Sequence, residues 1–284
     1  MNALPDVQQA LVRACDTLNK AKQVSDTLRL DAELLLAHVM EKDRTWLYTW
    51  SDKSLTLEQW QKYQALIAER SIGQPVAYLI GYREFWGLEL KVSPDTLIPR
   101  ADTETLVEVV LDLLPQPEAT VADLGTGTGA IALALASEKP HWNISACDFQ
   151  AGAVALAEDN RQSLGFNHVK VFQSDWCQAL KGSHYDLIVS NPPYIEATDP
   201  HLKQGDVRFE PLSALTSGDD GLEDIRVICQ QTRLCLKSSG WLVLEHGYNQ
   251  AESVQQIMLE HGFEQVRSVK DLAGQDRVTL GCSS

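Results

Sequence analysis

The chain has 284 residues, of which 44% are hydrophobic and 22% charged, and its formal net charge is −15. That is the composition of an ordinary globular protein with enough length for two domains. The acidity argues against DNA or RNA as the main partner, because nucleic-acid binding draws on Lys and Arg to neutralise phosphates.

The charge is uneven. Asp and Glu number 10 against 9 Lys and Arg in residues 1–75, and 29 against 15 in residues 76–284. No apolar run reaches the length of a membrane span, and Met1 to Asp6 lacks the basic start of a signal peptide, so a cytoplasmic protein is expected. The six cysteines and seven histidines are scattered without C-x-x-C or H-E-x-x-H spacing, which favours free buried thiols and no bound metal.

In residues 1–75 the periodicity is helical. Leu57, Trp60, Tyr63 and Ile67 share one face of a helix over Leu57–Arg70, with Thr56 and Gln59 spaced as a capping box and Gly73 as a stop. Asp31 to Met40 reads as a second helix, and a small helical bundle follows. Trp46, Trp50 and Trp60 are read as its core, with a partner-docking face as the alternative the sequence leaves open. From residue 76 to 95 the pattern becomes Leu88, Leu90 and Val92 alternating with Glu89 and Lys91, a β-hairpin connector. An acidic first turn at Asp102 and Glu104 opens a helix that Pro115 and Pro117 end.

Residues 96–284 form the second domain, an α/β unit in which strand and helix patterns alternate as in a mostly parallel sheet. Strands are predicted at Thr120–Leu124, Asn143–Asp148, Val169–Gln173, Tyr185–Ser190, Trp241–His246, Val266–Lys270 and Arg277–Cys282. Helices are predicted at Ile131–Ser137, Ala151–Leu164, Leu222–Leu236 and Gln250–His261. Ile195 to Gly221 shows no periodicity and is expected to close over a substrate.

The first strand runs into Gly125, Thr126, Gly127, Thr128 and Gly129, a turn in which a nucleotide cofactor can lie against bare backbone near free helix N–H groups. By itself the loop suits a dinucleotide or S-adenosylmethionine equally, and Asp148 at the next strand end can accept from ribose hydroxyls in either. Asp175 and Trp176 offer a carboxylate and a flat ring to an adenine, or else a turn residue and a core aromatic.

The fourth strand stops at Asn191, Pro192, Pro193 and Tyr194. The prolines cannot continue a ladder, so this is either an ordinary turn or a stiff corner. As a corner, it presents the Asn191 side-chain oxygen and the Pro192 carbonyl to a planar NH₂ group while Tyr194 stacks on it. Such a receptor beside an adenosyl cofactor means methyl transfer to nitrogen. Glu245 and His246, ending the fifth strand, are read as structural rather than as a base.

The Asp123–Gly129 and Asn191–Tyr194 motifs together resemble the class I S-adenosylmethionine-dependent methyltransferases, Rossmann-like with a seven-stranded sheet. Leu97 to Arg100, Gly205 to Pro211 and Leu244 to Gly247 narrow the resemblance to the PrmC/HemK family, protein-(glutamine-N5) methyltransferases of class I peptide chain release factors. The resemblance implies that Gly125, Thr126, Gly127, Thr128, Gly129, Asp148, Trp176 and Asn191 contact S-adenosylmethionine, with S-adenosylhomocysteine as product. It further implies that Asn191, Pro192, Pro193 and Tyr194 hold the glutamine of a Gly-Gly-Gln loop, and that residues 1–75 dock the release factor. A monomer is expected. The alternatives are an N6-adenine DNA or ribosomal RNA methyltransferase, an NAD-dependent oxidoreductase, and a catalytically silent docking protein.

Overall fold

The computed structural model describes residues 4–21, 27–182 and 184–284. The stretch read above for a leader begins outside them, at residues 1–3. The chain divides into two compact units, Met1–Tyr82 with Pro200–Phe209, and Arg83–Asp199 with Glu210–Ser284.

The first unit is built from α1 (Val7–Lys20), α2 (Leu28–Met40), α3 (Arg44–Thr49), α4 (Leu57–Ser71) and the short α5 (Val76–Ile80). The Asp6 side chain caps α1 by accepting from the Gln9 N–H at 2.7 Å. Thr56 and Gln59 cap α4 reciprocally, as their spacing indicates. Leu11, Leu18, Leu35, Leu36, Leu47 and Tyr63 fill the core. Trp46 and Trp60 pack against that core, but Trp50 is 45% exposed with the Lys53 ammonium over its ring, so it is not core filler. Residues 76–80 are helical rather than part of the hairpin, because the Pro75 carbonyl accepts from both Tyr78 and Leu79 and starts a turn.

Pro200–Phe209 belongs to this unit through charge. Buried Arg70 bonds Asp31 Oδ2 at 2.9 Å and Asp206 Oδ1 at 2.8 Å, and the Arg208 guanidinium donates to the Ile72 carbonyl at 2.7 Å.

The second unit opens with a two-stranded sheet, β1 (Tyr82–Phe85) and β2 (Leu88–Lys91), followed by α6 (Glu104–Leu113). Then come β3 (Thr120–Leu124), α7 (Ala130–Glu138), β4 (Asn143–Asp148), α8 (Ala151–Leu164), β5 (Lys170–Gln173) and β6 (Tyr185–Ser190). The chain ends with α9 (Glu223–Thr232), β7 (Leu236–Glu245), α10 (Ala251–Glu260), β8 (Phe263–Lys270) and β9 (Asp276–Ser283). The seven-stranded sheet has the order β5-β4-β3-β6-β7-β9-β8, parallel except where β9 pairs with β7 and β8.

Side-chain alternation divides the core between the two faces. Val121, Leu187 and Val189 join α6 and α7 on one side, while Ala122, Ile188 and Leu242 join α9 and α10 on the other. β7 begins five residues before the predicted strand and α9 ends correspondingly early, because the Cys235 carbonyl accepts from the Tyr185 N–H at 2.8 Å and draws Leu236 into the ladder. Ile195–Gly221 carries short 3₁₀ turns at Pro200–Lys203, Asp206–Phe209 and Leu212–Ala214 between irregular stretches.

Candidate functional site

The strand order reverses between β3 and β6, and open α/β sheets hold ligands outside the carboxyl ends of the strands at that point. Leu124 pairs with Ser190 in this register, so Gly125 and Asn191 leave the sheet side by side. The buried Ser190 hydroxyl donates to the Leu124 carbonyl at 2.7 Å and locks the two ends together. A cavity of about 440 Å³ lies here, of the size that takes a small-molecule cofactor.

Gly125, Thr126, Gly127 and Thr128 line the cavity, while Gly129 starts α7 with φ +85° and stands outside the lining. Gly125 is required by its backbone, and a side chain there would only touch its neighbour. Its φ is +68°, and a Cβ there would come 3.4 Å from the Trp176 ring. The Trp176 backbone is itself left-handed at φ +45°, an uncommon state for a bulky residue, and its indole lines the cavity.

Asp148 accepts from the Gly127 N–H at 3.0 Å and the Gln150 N–H at 2.9 Å. Burial raises its pKa, while the backbone donors of Gln150, Gly127 and Phe149 hold it down. Each oxygen keeps acceptor capacity for a vicinal diol. Asp175, beside Trp176, adds a second carboxylate at the cavity wall.

Beneath the loop, buried Asp123 takes the Thr126 hydroxyl at 2.6 Å and the Ala132 N–H at 3.2 Å, and burial pushes its carboxyl up to about 7. Its Oδ1 has no partner among the described residues. From the side, the Asn160 amide accepts from Lys91 N at 2.8 Å and donates to the Lys91 and Thr128 carbonyls, tying β2 and the glycine turn to α8.

Acidic groups dominate the lining, with Asp95, Asp148, Asp175 and Asp224 against Arg100 alone. Arg100 is engaged with buried Glu210 at 2.5 Å. Bare glycine backbone, a diol acceptor, a flat ring with a carboxylate beside it, and net negative charge fit an adenosyl group bearing a sulfonium.

The tip that ends β6 is held from several directions. Asn191 and Pro193 line the cavity, whereas Pro192 is buried and Tyr194 is turned aside, both outside the lining. The Asn191 NH₂ donates to Thr103 Oγ1 at 3.1 Å. Among the described residues, no hydrogen bond ends on the Asn191 side-chain oxygen or the Pro192 carbonyl. The Tyr194 hydroxyl meets Glu245 Oε1 at 3.3 Å, and the Gln250 amide donates to the Tyr194 carbonyl at 2.9 Å. Gly221 packs so tightly beneath it that a Cβ would come 2.3 Å from the same oxygen.

Glu245 is wholly buried, and burial pushes it up to about 7 against the opposing pull of the Thr103 hydroxyl, Arg277 and the Tyr194 hydroxyl. His246 is buried with Nδ1 on the Gly247 carbonyl and Nε2 on the Thr279 hydroxyl; burial lowers its pKa, which suits a structural part. Sequence reasoning missed Thr103, Gln250, Gly221 and Asn160. Element boundaries passed through all four, at the acidic helix start of Thr103, the helix start of Gln250, the helix holding Asn160 and the loop end at Gly221, but none of those signals pointed to the site. All six cysteines are free, and among the described residues no group of His, Cys, Asp and Glu is placed to hold a metal. No helix of the described chain is long and apolar enough to cross a membrane.

Residues 9–81 match the PrmC N-terminal domain and residues 101–206 the methyltransferase small domain. The chain is 51% identical to the release factor glutamine methyltransferase of Escherichia coli K12 over 259 residues, 91% of this chain and 94% of that one. It is 52% identical to that of Pseudomonas aeruginosa over 267 residues, 93% and 97% of the two chains. Among solved structures, the hMettl16 catalytic domain bound to a MAT2A 3′UTR hairpin superposes with a TM-score of 0.58 at 18% identity, covering 77% of this chain and 80% of that one. A methyltransferase from Pyrococcus furiosus superposes with a TM-score of 0.53 at 16% identity, covering 77% and 96%. The fold is thus that of the class I S-adenosylmethionine-dependent methyltransferases, as the glycine loop and strand pattern led us to expect.

Proposed function

This chain belongs to the release factor glutamine methyltransferases, and on that premise we propose that it methylates N5 of the glutamine in the Gly-Gly-Gln loop of class I peptide chain release factors. S-adenosylmethionine is the donor and S-adenosylhomocysteine the product; the site of action is the cytoplasm. The observation that carries this reading is the tip at the end of β6. Asn191 turns its NH₂ inward to Thr103 and keeps its oxygen for an incoming donor, next to a Pro192 carbonyl that is also uncommitted among the described residues.

Gly125 to Thr128 support the cofactor from below, Asp148 holds its ribose and Trp176 flanks its adenine. When bound, the cofactor supplies an electrophilic methyl group on positively charged sulfur.

A carboxamide nitrogen is a poor nucleophile because its lone pair is delocalised into the carbonyl. Two fixed oxygens accepting its hydrogens counter that in two ways. They set the direction of the nitrogen, which contributes up to about 7–11 kcal/mol of barrier reduction for a well-placed pair of reactants. They also stabilise the positive charge that grows on nitrogen, and since they are pre-placed they need no reorganisation as it grows. Pro193 walls the cavity next to them, and the Tyr194 backbone, anchored by Gln250, keeps the corner from relaxing. The helical unit, with the exposed side chains of Tyr48 and Trp50, is the docking surface for the rest of the release factor in this reading.

Incubation with a class I release factor and isotope-labelled cofactor, followed by peptide mapping, tests the proposal. Label on the side-chain nitrogen of the Gly-Gly-Gln glutamine is expected. Label on nucleic acid, or on another residue of the release factor, overturns it.

A further inference from the structure

We infer that Thr103 and Glu245 are positioning residues that decide which end of the Asn191 amide faces the cavity, and that they do so by a relay of donation from Asn191 to Thr103 to Glu245. This rests on the methyl-transfer reading above and deepens it. The oxygen and NH₂ of an asparagine have almost the same shape, so hydrogen-bond partners alone select between the two orientations. Thr103 Oγ1, buried and 3.1 Å from Asn191 Nδ2, is able to accept from that amide or donate to it. If it donated, Asn191 would turn its NH₂ to the cavity, where donor would meet donor and a substrate carboxamide would be repelled.

Two unmet needs settle the direction. Glu245 Oε2 is buried with no hydrogen bond of standard geometry among the described residues, and the Thr103 hydroxyl, which already accepts from Asn191, has its proton left to place. The two groups adjoin, closely enough for the hydroxyl to pull the carboxyl pKa down, without a hydrogen bond of standard geometry. A rotation of one O–H bond satisfies both. Thr103 then points its lone pairs at Asn191, which is left to donate. Glu245 Oε1 takes the Tyr194 hydroxyl at 3.3 Å, so one carboxylate ties both ends of the four-residue tip. The ionisable groups facing Glu245 are Tyr194, Arg277 and Asp102, with Arg277 held at 3.2 Å by Asp271 and at 3.5 Å by Asp102.

The test compares the wild-type chain with Thr103→Val, Thr103→Ser and Glu245→Gln, using a class I release factor and labelled S-adenosylmethionine. Thr103→Val keeps the shape and removes the acceptor. Its kcat is expected to fall about a hundredfold, the scale of losing one aligned polar contact to developing charge, while cofactor Kd stays within about twofold. Thr103→Ser restores the hydroxyl and is expected to recover kcat to within about threefold.

A second readout separates orientation from mere folding. A release factor with glutamate in place of the acceptor glutamine is expected to be a weak competitor of wild type and a stronger one of Thr103→Val, whose flipped amide offers a donor. A third is the pH profile. Wild-type kcat is expected to rise with pH through the titration of Glu245, and Glu245→Gln to flatten that rise. If wild type labels no glutamine, the functional reading falls and the relay with it. If wild type labels it and Thr103→Val retains kcat within about twofold, or if Thr103→Val and Thr103→Ser lose cofactor binding alike, the relay alone is overturned.

Discussion

The two units differ in the charge they bury without a partner: in the sheet unit Glu210 and Asp271 meet Arg100 and Arg277, but two further buried carboxylates meet no cation. In the helical unit the buried carboxylates Asp31 and Glu33 each meet a cation. Glu33 accepts from Arg29 at 2.6 Å, Arg44 at 2.7 Å and the Tyr48 hydroxyl at 2.7 Å. Burial would raise its pKa, but the hydrogen bonds from Tyr48, Arg29 and Arg44 outweigh that and hold it below the ordinary range. Arg70 does the same for Asp31. In the sheet unit, Asp123 and Glu245 are buried without a guanidinium or ammonium in ion-pair contact among the described residues, and both are pushed up to about 7. The first arrangement closes a shape. The second holds an electrostatic cost beneath the glycine loop and behind the tip, which is the pattern found where residues serve a reaction rather than stability.

The contrast can be broken by substitution. Arg70→Met should cost about 3–5 kcal/mol, because it leaves Asp31 buried with no counter-charge. Asp123→Asn should change stability by only about 1 kcal/mol, since its ionised form gains little from its site. Urea unfolding of both variants checks the pair, and equal losses would erase the distinction. Next in size, Asn191→Ala should lower kcat by about 10²–10³. The same variant should leave cofactor affinity within about threefold, read by single-turnover kinetics and calorimetry. Asp148→Asn should do the reverse, weakening cofactor binding by about 1.5–3 kcal/mol for a lost charged acceptor while saturating turnover changes less.

The last effect is a pH dependence. Asp123 and Glu245 have folded pKa values near 7, above their ordinary values of 3.8 and 4.5. Between those limits the folded chain holds protons that the unfolded chain has released, so unfolding free energy should fall as pH rises through this window and level off above about 7. Asp123→Asn should flatten the slope in thermal melts recorded across it.

What was legible in the sequence was the part governed by backbone rules. β3, β4 and β6 were predicted to the residue because short apolar runs end hard, at glycine or proline for β3 and β6. The alternation of strand and helix implied a parallel sheet with the glycine loop and the Asn191 tip on one carboxyl edge; that their strands are neighbours is the structure's addition. What stayed hidden was set by distance along the chain. Thr103 is 88 positions from Asn191, Tyr194 is 51 from Glu245, and Arg70 is 136 from Asp206. No local spacing encodes such pairs. Trp50 was misread for a related reason, since a tryptophan packs inward or lies under a lysine according to neighbours that only the fold supplies.

The pairing of Arg70 with Asp206 also sets an order of assembly. The N-terminal helices can form as soon as they are synthesised, yet the buried guanidinium in their midst gains its second acid only after Asp206 has left the ribosome. At about 5–20 residues per second the 136 positions between them leave a wait of about 7 to 27 seconds. During it the Arg70 guanidinium has Asp31 without Asp206, and a gene cut after residue 82 would make that condition permanent.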